Sequence, residues 1–235
     1  MSAFKLKKTL LSWSYCDRNH VGTGLCRSST FIAMTEATSF LATAMPDREW
    51  WAALWPDPEA VVRSLGVEPG MTVLDLCCGD GYFTAPLAKL VGGRIYALDI
   101  DPDMLERART EVERSGATVK KWICADARDL AKHIPEKLDY VLIANTFHGV
   151  PDKTGMARAV ASILKSDGRF SIINWHRWPR EQTTVLGEPR GPRSELRMSP
   201  DEVRVVVEPA GFALRRVVEL PPYHYGAIFQ RVEAN

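Results

Sequence analysis

Residues 73–84 read VLDLCCGDGYFT and combine residue types that could do two different kinds of chemistry. Cys77 and Cys78 are adjacent thiols, which could take part in redox chemistry or bind a metal ion. Gly79 and Gly81 lie between an apolar run and a helical pattern, as in turns that bring a ligand close to the backbone. A metal site needs more ligands at a matching spacing, and only one further cysteine follows this segment. We therefore interpret both cysteines as small side chains in a ligand-binding turn, with a redox role as the alternative.

Three histidines follow apolar segments in the second half of the chain: His148 in ANTFHGVPD, His176 in INWHRWP and His224 in PPYHYG. Imidazole often serves as a general base, and it also binds metals. Alternatively, each histidine could have a purely structural role, in which its ring forms hydrogen bonds with backbone groups at the end of a strand. A three-histidine metal site is a further alternative, although no acidic residue is obviously placed to orient the rings. What these residues do together depends on whether the fold brings them to one place.

The elements that must position these residues alternate between strands and helices. Five segments are strand-length and rich in Val, Ile, Leu and aromatic residues: 71–76, 94–99, 118–123, 138–144 and 168–174. Between them, helices are predicted to begin near Gly81 and at Pro102, which follows the capping residue Asp101. A third helix is predicted over 151–164 and to stop at the turn Asp167-Gly168. This alternation predicts parallel strands joined by right-handed crossovers.

The C-terminal part of the chain has a different pattern. Ser199 and Glu202 form a capping box that begins a helix, which is predicted to end near Gly211. The apolar segments 213–220 and 225–232 are separated only by PPYH, which is too short for a helical crossover, so they should pair as an antiparallel hairpin. The sequence therefore predicts a Rossmann-like α/β fold. Its seven-stranded sheet would have five parallel strands plus a C-terminal antiparallel hairpin, with helices on both faces.

In such a sheet, ligands bind beyond the carboxyl ends of the strands, where the glycine turn and the three histidines are expected. The dinucleotide fingerprint G-x-G-x-x-G is incomplete here, because Thr84 replaces its third glycine. Asp75 lies in the strand just before the turn, where a carboxylate suits a cation such as an ammonium better than a pyrophosphate. The turn therefore differs in two ways from a nicotinamide-binding turn.

Several motifs in order resemble those of class I S-adenosylmethionine-dependent methyltransferases, especially the type 11 and quinone-biosynthesis groups that act on small molecules. The motifs are DLCCGDG with Asp75, YALDIDP with Asp99, CADARDL with Asp126, and the strand LDYVLIAN. The resemblance covers roughly residues 67–174 and extends to the final hairpin. The chain departs from the family at Cys77, which replaces the first glycine of the usual pattern.

The resemblance implies a cofactor, S-adenosylmethionine, and a set of residues that hold it: Asp75, Cys77, Gly79, Gly81, Asp99, Ile100, Asp126 and Asn145. Asp75 would lie near the methionine amino group, and Asp99 would accept both ribose hydroxyls. Ile100 would flank the adenine, Asp126 would accept from its exocyclic amine, and Asn145 would lie beside the transferring methyl group. Capping of the next helix is the alternative for Asp99 and Asp126.

Methyl transfer from a sulfonium is an in-line displacement, so the protein supplies alignment, a dry pocket and often a base. We expect the catalytic set to be His148, His176, His224 and Asn145, with no metal. The segment 175–198, which we call the insert, carries five arginines and follows the fifth strand, so it could cover an anionic acceptor. Trp51 and Trp55 share one helix face and could form either core or a lid, as could Tyr82 and Phe83.

Length and charge limit the remaining possibilities. The 235 residues, 46% of them hydrophobic, fit one α/β domain with extensions. We expect 1–33 to be a disordered leader or an upstream-start extension, rather than a transit peptide. Residues 34–66 would be an N-terminal helical cap, and 67–235 the methyltransferase domain. Beyond residue 33 the net charge is −3, without the basic excess of a general nucleic-acid binder.

No apolar run approaches the length that spans a bilayer, and the cysteine count of five is odd, so we expect a cytoplasmic protein with reduced thiols. The predicted function is methyl transfer to a small molecule, without nucleic-acid or membrane partners. A nicotinamide-dependent oxidoreductase and a non-catalytic S-adenosylmethionine-binding module are the alternatives. The first would lack its third glycine, and the second would not need polar residues at the carboxyl edge.

Overall fold

A computed structural model of the chain describes residues 48–232. The predicted leader 1–33 and the first part of the predicted cap, 34–47, lie outside the described residues. No helix within 48–232 is long and apolar enough to cross a membrane.

The strands form one large sheet and one small ribbon. The strands are β1 (Val73–Leu76), β2 (Ile95–Asp99), β3 (Lys121–Cys124), β4 (Leu138–Ala144), β5 (Leu164–Trp175), β6 (Thr184–Val185), β7 (Glu188–Pro189), β8 (Phe212–Leu220) and β9 (His224–Arg231). The large sheet has the order β3-β2-β1-β4-β5-β9-β8, while β6 and β7 pair with each other inside the insert. Strands β1 to β5 are parallel, and β9 is antiparallel to both β5 and β8. The predicted sheet of five parallel strands and a hairpin is confirmed.

The helices are α1 (Arg48–Leu54), α2 (Pro58–Ser64), α3 (Thr84–Leu90), α4 (Pro102–Arg114), α5 (Leu130–His133), α6 (Lys153–Ile163) and α7 (Pro200–Val207). Two predicted caps are present. Asp101 accepts from the backbone N–H groups of Asp103 and Met104 at the start of α4, and Ser199 and Glu202 form the capping box of α7. A short 3₁₀ turn follows α7 and ends at Gly211, whose φ of 88° lies in the left-handed region.

Alternate residues of the strands face two separate layers of apolar side chains. On β5, Phe170 and Ile172 pack with residues of α6 and α7, whereas Ile173 and Trp175 pack with residues of α1, α2 and α3. When helices cover both faces of a sheet, nearly every residue of a central strand is buried, and successive side chains pack into opposite layers. Neighbouring residues at the end of a strand therefore face different layers.

Several predicted boundaries are wrong by one or two residues, such as the start of β1 at Val73 rather than residue 71. Two others differ more. The third strand begins at Lys121 rather than residue 118 and continues to Cys124. Helix α6 stops at Ile163, and the chain enters β5 directly at Leu164, so Asp167-Gly168 is not the turn that ends the helix. Instead, the register with β4 shifts between the pairs Leu138–Leu164 and Tyr140–Arg169. The Asp-Gly signal thus marks an irregularity within a strand, where a glycine is also tolerated.

Candidate active site at the carboxyl edge

The turn after β1 adopts an unusual backbone conformation. Cys77, Gly79 and Gly81 have φ values of 60°, 54° and 83°, which lie in the left-handed region that favours glycine. At Gly81 the missing side chain allows α4 to pack closely, because an added Cβ would lie 2.7 Å from the Cα of Ala108. Cys77 therefore occupies a position that normally suits glycine.

The thiols of this turn are poorly suited to redox chemistry. Burial raises the pKa of Cys77, and Asp99 and Asp75 raise it further through their negative charge. Burial likewise raises the pKa of Cys78 well above its ordinary value. The thiolate is the reactive form of cysteine, so both side chains are held in their unreactive state. They fill space in the turn.

Asp75 is buried without a cationic partner among residues 48–232. It is 2% exposed, and one of its oxygens accepts a 2.7 Å hydrogen bond from the Thr84 hydroxyl. Burial raises the pKa of Asp75 to about 7, although the bond from Thr84 opposes this shift. A desolvated carboxylate without a counter-charge is costly, so this side chain suits an incoming cation. Thr84 was selected from the sequence only because it replaces a glycine, and its bond to Asp75 was not predicted.

Asp99 connects β2 to the glycine turn. One carboxylate oxygen accepts from the backbone N–H of Gly79 at 2.8 Å, and the other accepts from Asp101 N–H at 3.0 Å. The capping alternative does not hold for Asp99, because Asp101 is the cap of α4. Each carboxylate oxygen can accept a further bond, so Asp99 still has capacity for two ligand hydroxyls.

Ile100 and Asp126 lie at the ends of β2 and β3. Ile100 is 37% exposed, so its apolar side chain is accessible at this edge. Asp126 accepts from the Arg128 backbone N–H at 2.9 Å and forms an ion pair with the Arg128 guanidinium at 2.6 Å. The hydrogen bond from Arg128 lowers the pKa of Asp126. The capping alternative therefore does hold for Asp126, and any contact with a ligand would have to share this carboxylate.

These residues together fit a ligand that carries a cation, vicinal hydroxyls and an apolar ring. Asp75 lacks a counter-charge, Asp99 has free acceptor capacity, and Ile100 exposes apolar surface, all along the carboxyl edge of β1 and β2. S-adenosylmethionine has these three features. The two carboxylates and the apolar side chain at this part of the edge are therefore compatible with that cofactor.

An aromatic cluster covers the neighbouring part of the same edge, on the α1 face of the sheet. We define it by seven side chains: Trp50, Trp51, Trp55, Tyr82, Phe83, Trp175 and His224. All are less than 9% exposed. The Tyr82 hydroxyl donates to the backbone carbonyls of Trp51 and Trp55, at 3.2 and 2.5 Å, and so ties α1 to the glycine turn. Trp50, Trp51 and Trp55 are thus part of the core, and the lid role considered for Trp51 and Trp55 stays a prediction.

His224 lies inside this aromatic cluster. Its ring centroid is 4.0 Å from that of Trp175 and 4.5 Å from that of Trp55. The residue is 1% exposed, and neither ring nitrogen has a hydrogen-bond partner among the described residues. Burial lowers the pKa of His224 well below its ordinary value, so the ring is neutral. A buried imidazole without partners is costly, and a ligand that both donates and accepts would relieve that cost.

Asn145 and His148 follow β4. Asn145 has a φ of 54°, and both polar atoms of its side-chain amide lack a partner within 48–232. His148 is 5% exposed, and its Nδ1 also has no partner in that part of the chain. Burial lowers the pKa of His148 to about 4, while the nearby Asn174 amide opposes this shift. Asn174 is another buried amide without a described partner, and the sequence analysis did not select it.

The three histidines reach the same edge but do not share one set of neighbours. His176 lies at the rim, where its Nε2 is 2.9 Å from a carboxylate oxygen of Glu219. This acidic partner comes from the hairpin strand β8, and the sequence analysis did not identify it. His224 packs in the aromatic cluster, and His148 lies near Asn174 on the other layer. Residues 48–232 contain no group of three or more His, Cys, Asp or Glu side chains that could hold a metal ion.

Three arginines of the insert bond to the protein itself. Arg177 pairs with Glu202 at 2.5 Å, and Arg180 donates to the carbonyl of Gly191 at 3.2 Å. Arg197 is 2% exposed and donates only to groups of the insert. These guanidinium groups are therefore engaged in holding the insert together.

Comparison with known proteins gives a consistent picture. Residues 73–168 match the family described as "Methyltransferase domain". Over 162 residues the chain is 31% identical to the ubiquinone biosynthesis O-methyltransferase of Xanthomonas euvesicatoria, which covers 65% of this chain and 65% of that protein. It is 34% identical over 116 residues to the demethylmenaquinone methyltransferase of Lactobacillus johnsonii, with coverage of 47% and 46%. The chain thus spans less than two thirds of the length of these relatives.

A solved structure is also similar along most of the described fold. The crystal structure of a SAM-dependent methyltransferase from Aquifex aeolicus superimposes with a TM-score of 0.65 at 28% identity. The match covers 79% of this chain and 94% of that one.

Proposed function

We propose that this chain, which belongs to the class I S-adenosylmethionine-dependent methyltransferases, methylates a hydroxyl oxygen of a quinone-type small molecule. S-adenosylmethionine is its cofactor. When bound, it would supply a methyl group, which the acceptor oxygen would take in line as S-adenosylhomocysteine leaves. The residues of the chain then have three tasks: to hold the cofactor, to align the acceptor and to receive the acceptor's proton.

The observation that carries this proposal is the neutral His224, which packs against two tryptophan rings and whose ring nitrogens have no hydrogen-bond partner within residues 48–232. Trp55 and Trp175 are buried and packed against other side chains, so a planar ring would stack on either indole only by displacing part of that packing. A hydroxyl on that ring can donate to one nitrogen of His224. The neutral ring has a free lone pair, so one of its nitrogens would accept the hydroxyl proton as the oxygen is methylated, acting as a base that burial has weakened.

Asn145 and His148 are assigned supporting roles. The Asn145 amide has a free donor and a free acceptor beside the end of β4, so it can orient an acceptor oxygen. His148 is neutral above about pH 4 and is the second possible base. His176 is engaged with Glu219 at the rim, and we assign it a substrate contact there.

The acceptor is proposed to be neutral rather than anionic. The insert's Arg177, Arg180 and Arg197 already bond to protein groups, which leaves fewer guanidinium groups for an anionic substrate. The aromatic cluster instead favours an uncharged ring. The relatives named for ubiquinone and demethylmenaquinone support a quinone-type nucleus.

On the cofactor side, the proposed ligands keep the roles implied by the family. Asp75 would pair with the cofactor's ammonium, and Asp99 with the ribose hydroxyls. Ile100 would pack on the adenine, and Asp126 would accept from its amine while it keeps its bond to Arg128. The turn from Cys77 to Gly81 would present its backbone to the cofactor.

A nicotinamide-dependent oxidoreductase and a non-catalytic module are less well supported. Thr84 fills the place of the third glycine and bonds to Asp75, and the unpartnered polar groups near the tryptophans have no evident use in a module that only binds cofactor. A cytoplasmic location is part of the proposal, supported by three free cysteines among the described residues. We propose no nucleic-acid partner.

The proposal is tested by incubating the protein at pH 7 with methyl-labelled S-adenosylmethionine and two acceptors that are uncharged at that pH, catechol and hydroquinone. We expect label in an O-methyl ether of at least one acceptor, and about a hundredfold less with His224→Gln. The matched control is His133→Gln, a surface histidine on α5. Label in neither acceptor, with S-adenosylhomocysteine still bound, would contradict the proposed substrate class.

A further inference from the structure

The insert has little regular structure, yet one buried side chain connects most of it. Arg197 is 2% exposed. Its Nε donates to the Pro192 carbonyl at 3.1 Å, and its Nη1 donates to the Trp178 carbonyl at 3.0 Å. Its Nη2 donates to the Thr183 hydroxyl and to the Arg190 carbonyl, both at 2.9 Å. One guanidinium thus joins four separate points of the segment.

These bonds depend on the shape of the guanidinium more than on its charge. No Asp or Glu of residues 48–232 forms an ion pair with Arg197, and burial lowers the pKa of its side chain. The planar fork presents five N–H donors in fixed directions, whereas a lysine ammonium has three donors on a flexible stem. A lysine at this position would keep the positive charge and lose the simultaneous contacts.

The same segment packs against Trp175, the last residue of β5. The Arg197 guanidinium lies over the Trp175 ring, 5.0 Å from its centroid. Gly191 has a φ of +90°, and a Cβ added there would lie 2.8 Å from indole atom Cε2. Tyr223 stacks on the indole at 6.0 Å, and its hydroxyl donates to the Thr184 carbonyl of the insert. Two independent close contacts, through Arg197 and Gly191, therefore hold this ring.

We propose that Arg197 is a positioning residue that fixes the insert as a rigid wall of the acceptor site, by holding Trp175 beside His224. The insert is then not a hinged cover of the site. The contribution to acceptor binding rests on the proposed methyl transfer, whereas the anchoring of the insert does not.

Hydrogen exchange followed by mass spectrometry tests the anchoring without any substrate. In Arg197→Lys we expect amides of residues 178–196 to exchange about tenfold faster, with the strands β1 to β5 unchanged. Gly191→Ala should loosen the same segment, because its Cβ would collide with the indole. Arg204→Lys, which changes an exposed arginine on α7, should have no effect. Unchanged exchange of the insert in both Arg197→Lys and Gly191→Ala would overturn the proposal.

The contribution of the insert to acceptor binding is tested by steady-state kinetics, with whichever of the two acceptors is methylated. Arg197→Lys should raise the acceptor KM about tenfold and change kcat by less than about twofold. Its affinity for S-adenosylhomocysteine should equal that of the unmodified protein. Faster exchange with an unchanged KM would overturn the role of the insert as a wall. If the unmodified protein methylates neither acceptor, the proposed function fails, and hydrogen exchange still decides whether Arg197 anchors the insert.

Discussion

Asp75 is the residue whose environment differs most from that of an ordinary carboxyl group in this site. It is buried beside a hydroxyl donor, and burial raises its pKa from 3.8 to about 7. The folded state therefore holds a proton on Asp75 over a pH range in which the unfolded chain has lost it. Stability linked to this proton is fully present below about pH 4 and is lost as the pH rises towards 7.

The first prediction concerns this loss of stability with rising pH. Without cofactor, the contribution of Asp75 to the free energy of unfolding should fall between pH 4.5 and pH 7, by at most about 4 kcal/mol. Asp75→Asn cannot ionise, so it should lose less stability over this range than the unmodified protein. Urea unfolding of both proteins at the two pH values measures the difference. The same pH dependence in both would mean that Asp75 is ionised in the fold.

Asp99 supports the second prediction, because it joins the glycine turn to the end of β2. Asp99→Ala should weaken the binding of S-adenosylhomocysteine by about tenfold or more, through loss of charge-assisted hydrogen bonds. Isothermal calorimetry measures the affinity, and Asp103→Ala, which alters an exposed carboxylate nearby, is the control. An unchanged affinity would remove the ribose assignment.

The two buried histidines support the third prediction. His148→Ala should lower turnover while the affinity for S-adenosylhomocysteine is kept, and His224→Gln should lower turnover further, by about a hundredfold. The pKa of His148 is lowered to about 4 and that of His224 lies well below 6.5. Both rings are neutral from pH 6 to pH 8, so kcat should show no step near pH 6.5. Normal activity of either variant would make that histidine structural.

At the residue scale, the sequence predicts what depends on local signals. The cap Asp101 and the capping box of Ser199 and Glu202 are recognised from neighbouring residues, and they are present. The bond from Thr84 to Asp75 and the pairing of His176 with Glu219 join distant segments. No spacing rule predicts such contacts, because they depend on how strands and helices pack.

At the scale of elements, α1 is the part of the site held by the fewest specific bonds. The Tyr82 hydroxyl donates to the backbone carbonyls of Trp51 and Trp55, at the C-terminal end of this helix. Arg48 at its start pairs with Glu111 at 2.7 Å and with Asp80 at 3.7 Å. The Arg48 side chain is 41% exposed, and its contact with the buried Asp80 is long, so these ion pairs should contribute less than the contacts of Tyr82.

Tyr82→Phe tests this difference. Loss of the hydroxyl should lower the free energy of unfolding by about 1 kcal/mol and speed the exchange of α1 amides. Tyr96→Phe removes a hydroxyl that bonds to Glu136 outside the site, and it should leave α1 unchanged. Hydrogen exchange of residues 48–55 provides the measurement. Equal exchange of α1 in all three proteins would show that packing of the tryptophans alone holds this helix.

Element existence was easier to predict than element boundaries. β4 has the predicted bounds because its apolar run is long and both neighbouring strands cover it. β3 was misplaced by three residues at its start, because it is an edge strand with mostly exposed side chains and so lacks a strong apolar pattern. The α6–β5 boundary was missed because the Asp-Gly turn signal also occurs at strand irregularities.

At the scale of the whole molecule, strand order follows from the alternation of strands and helices and from the final hairpin. That order brings the glycine turn, the acidic residues after β2 and β3, and the histidines to one edge of the sheet. The sequence therefore predicts the location of the site. Trp51, Trp55, Tyr82 and Phe83 of the aromatic cluster were selected from the sequence, but their packing with Trp175 and His224 joins distant segments and was not predicted. The buried Arg197 was not predicted because the insert has no periodic pattern.

The most direct test of the central claim is a calorimetric titration of the protein with S-adenosylhomocysteine, with NAD as the comparison. We predict micromolar binding of S-adenosylhomocysteine at one site, with no heat of binding from NAD, since Thr84 replaces the third glycine and Asp75 faces the turn. Binding of NAD alone would contradict the assignment of S-adenosylmethionine as the cofactor and would indicate a nicotinamide-binding turn.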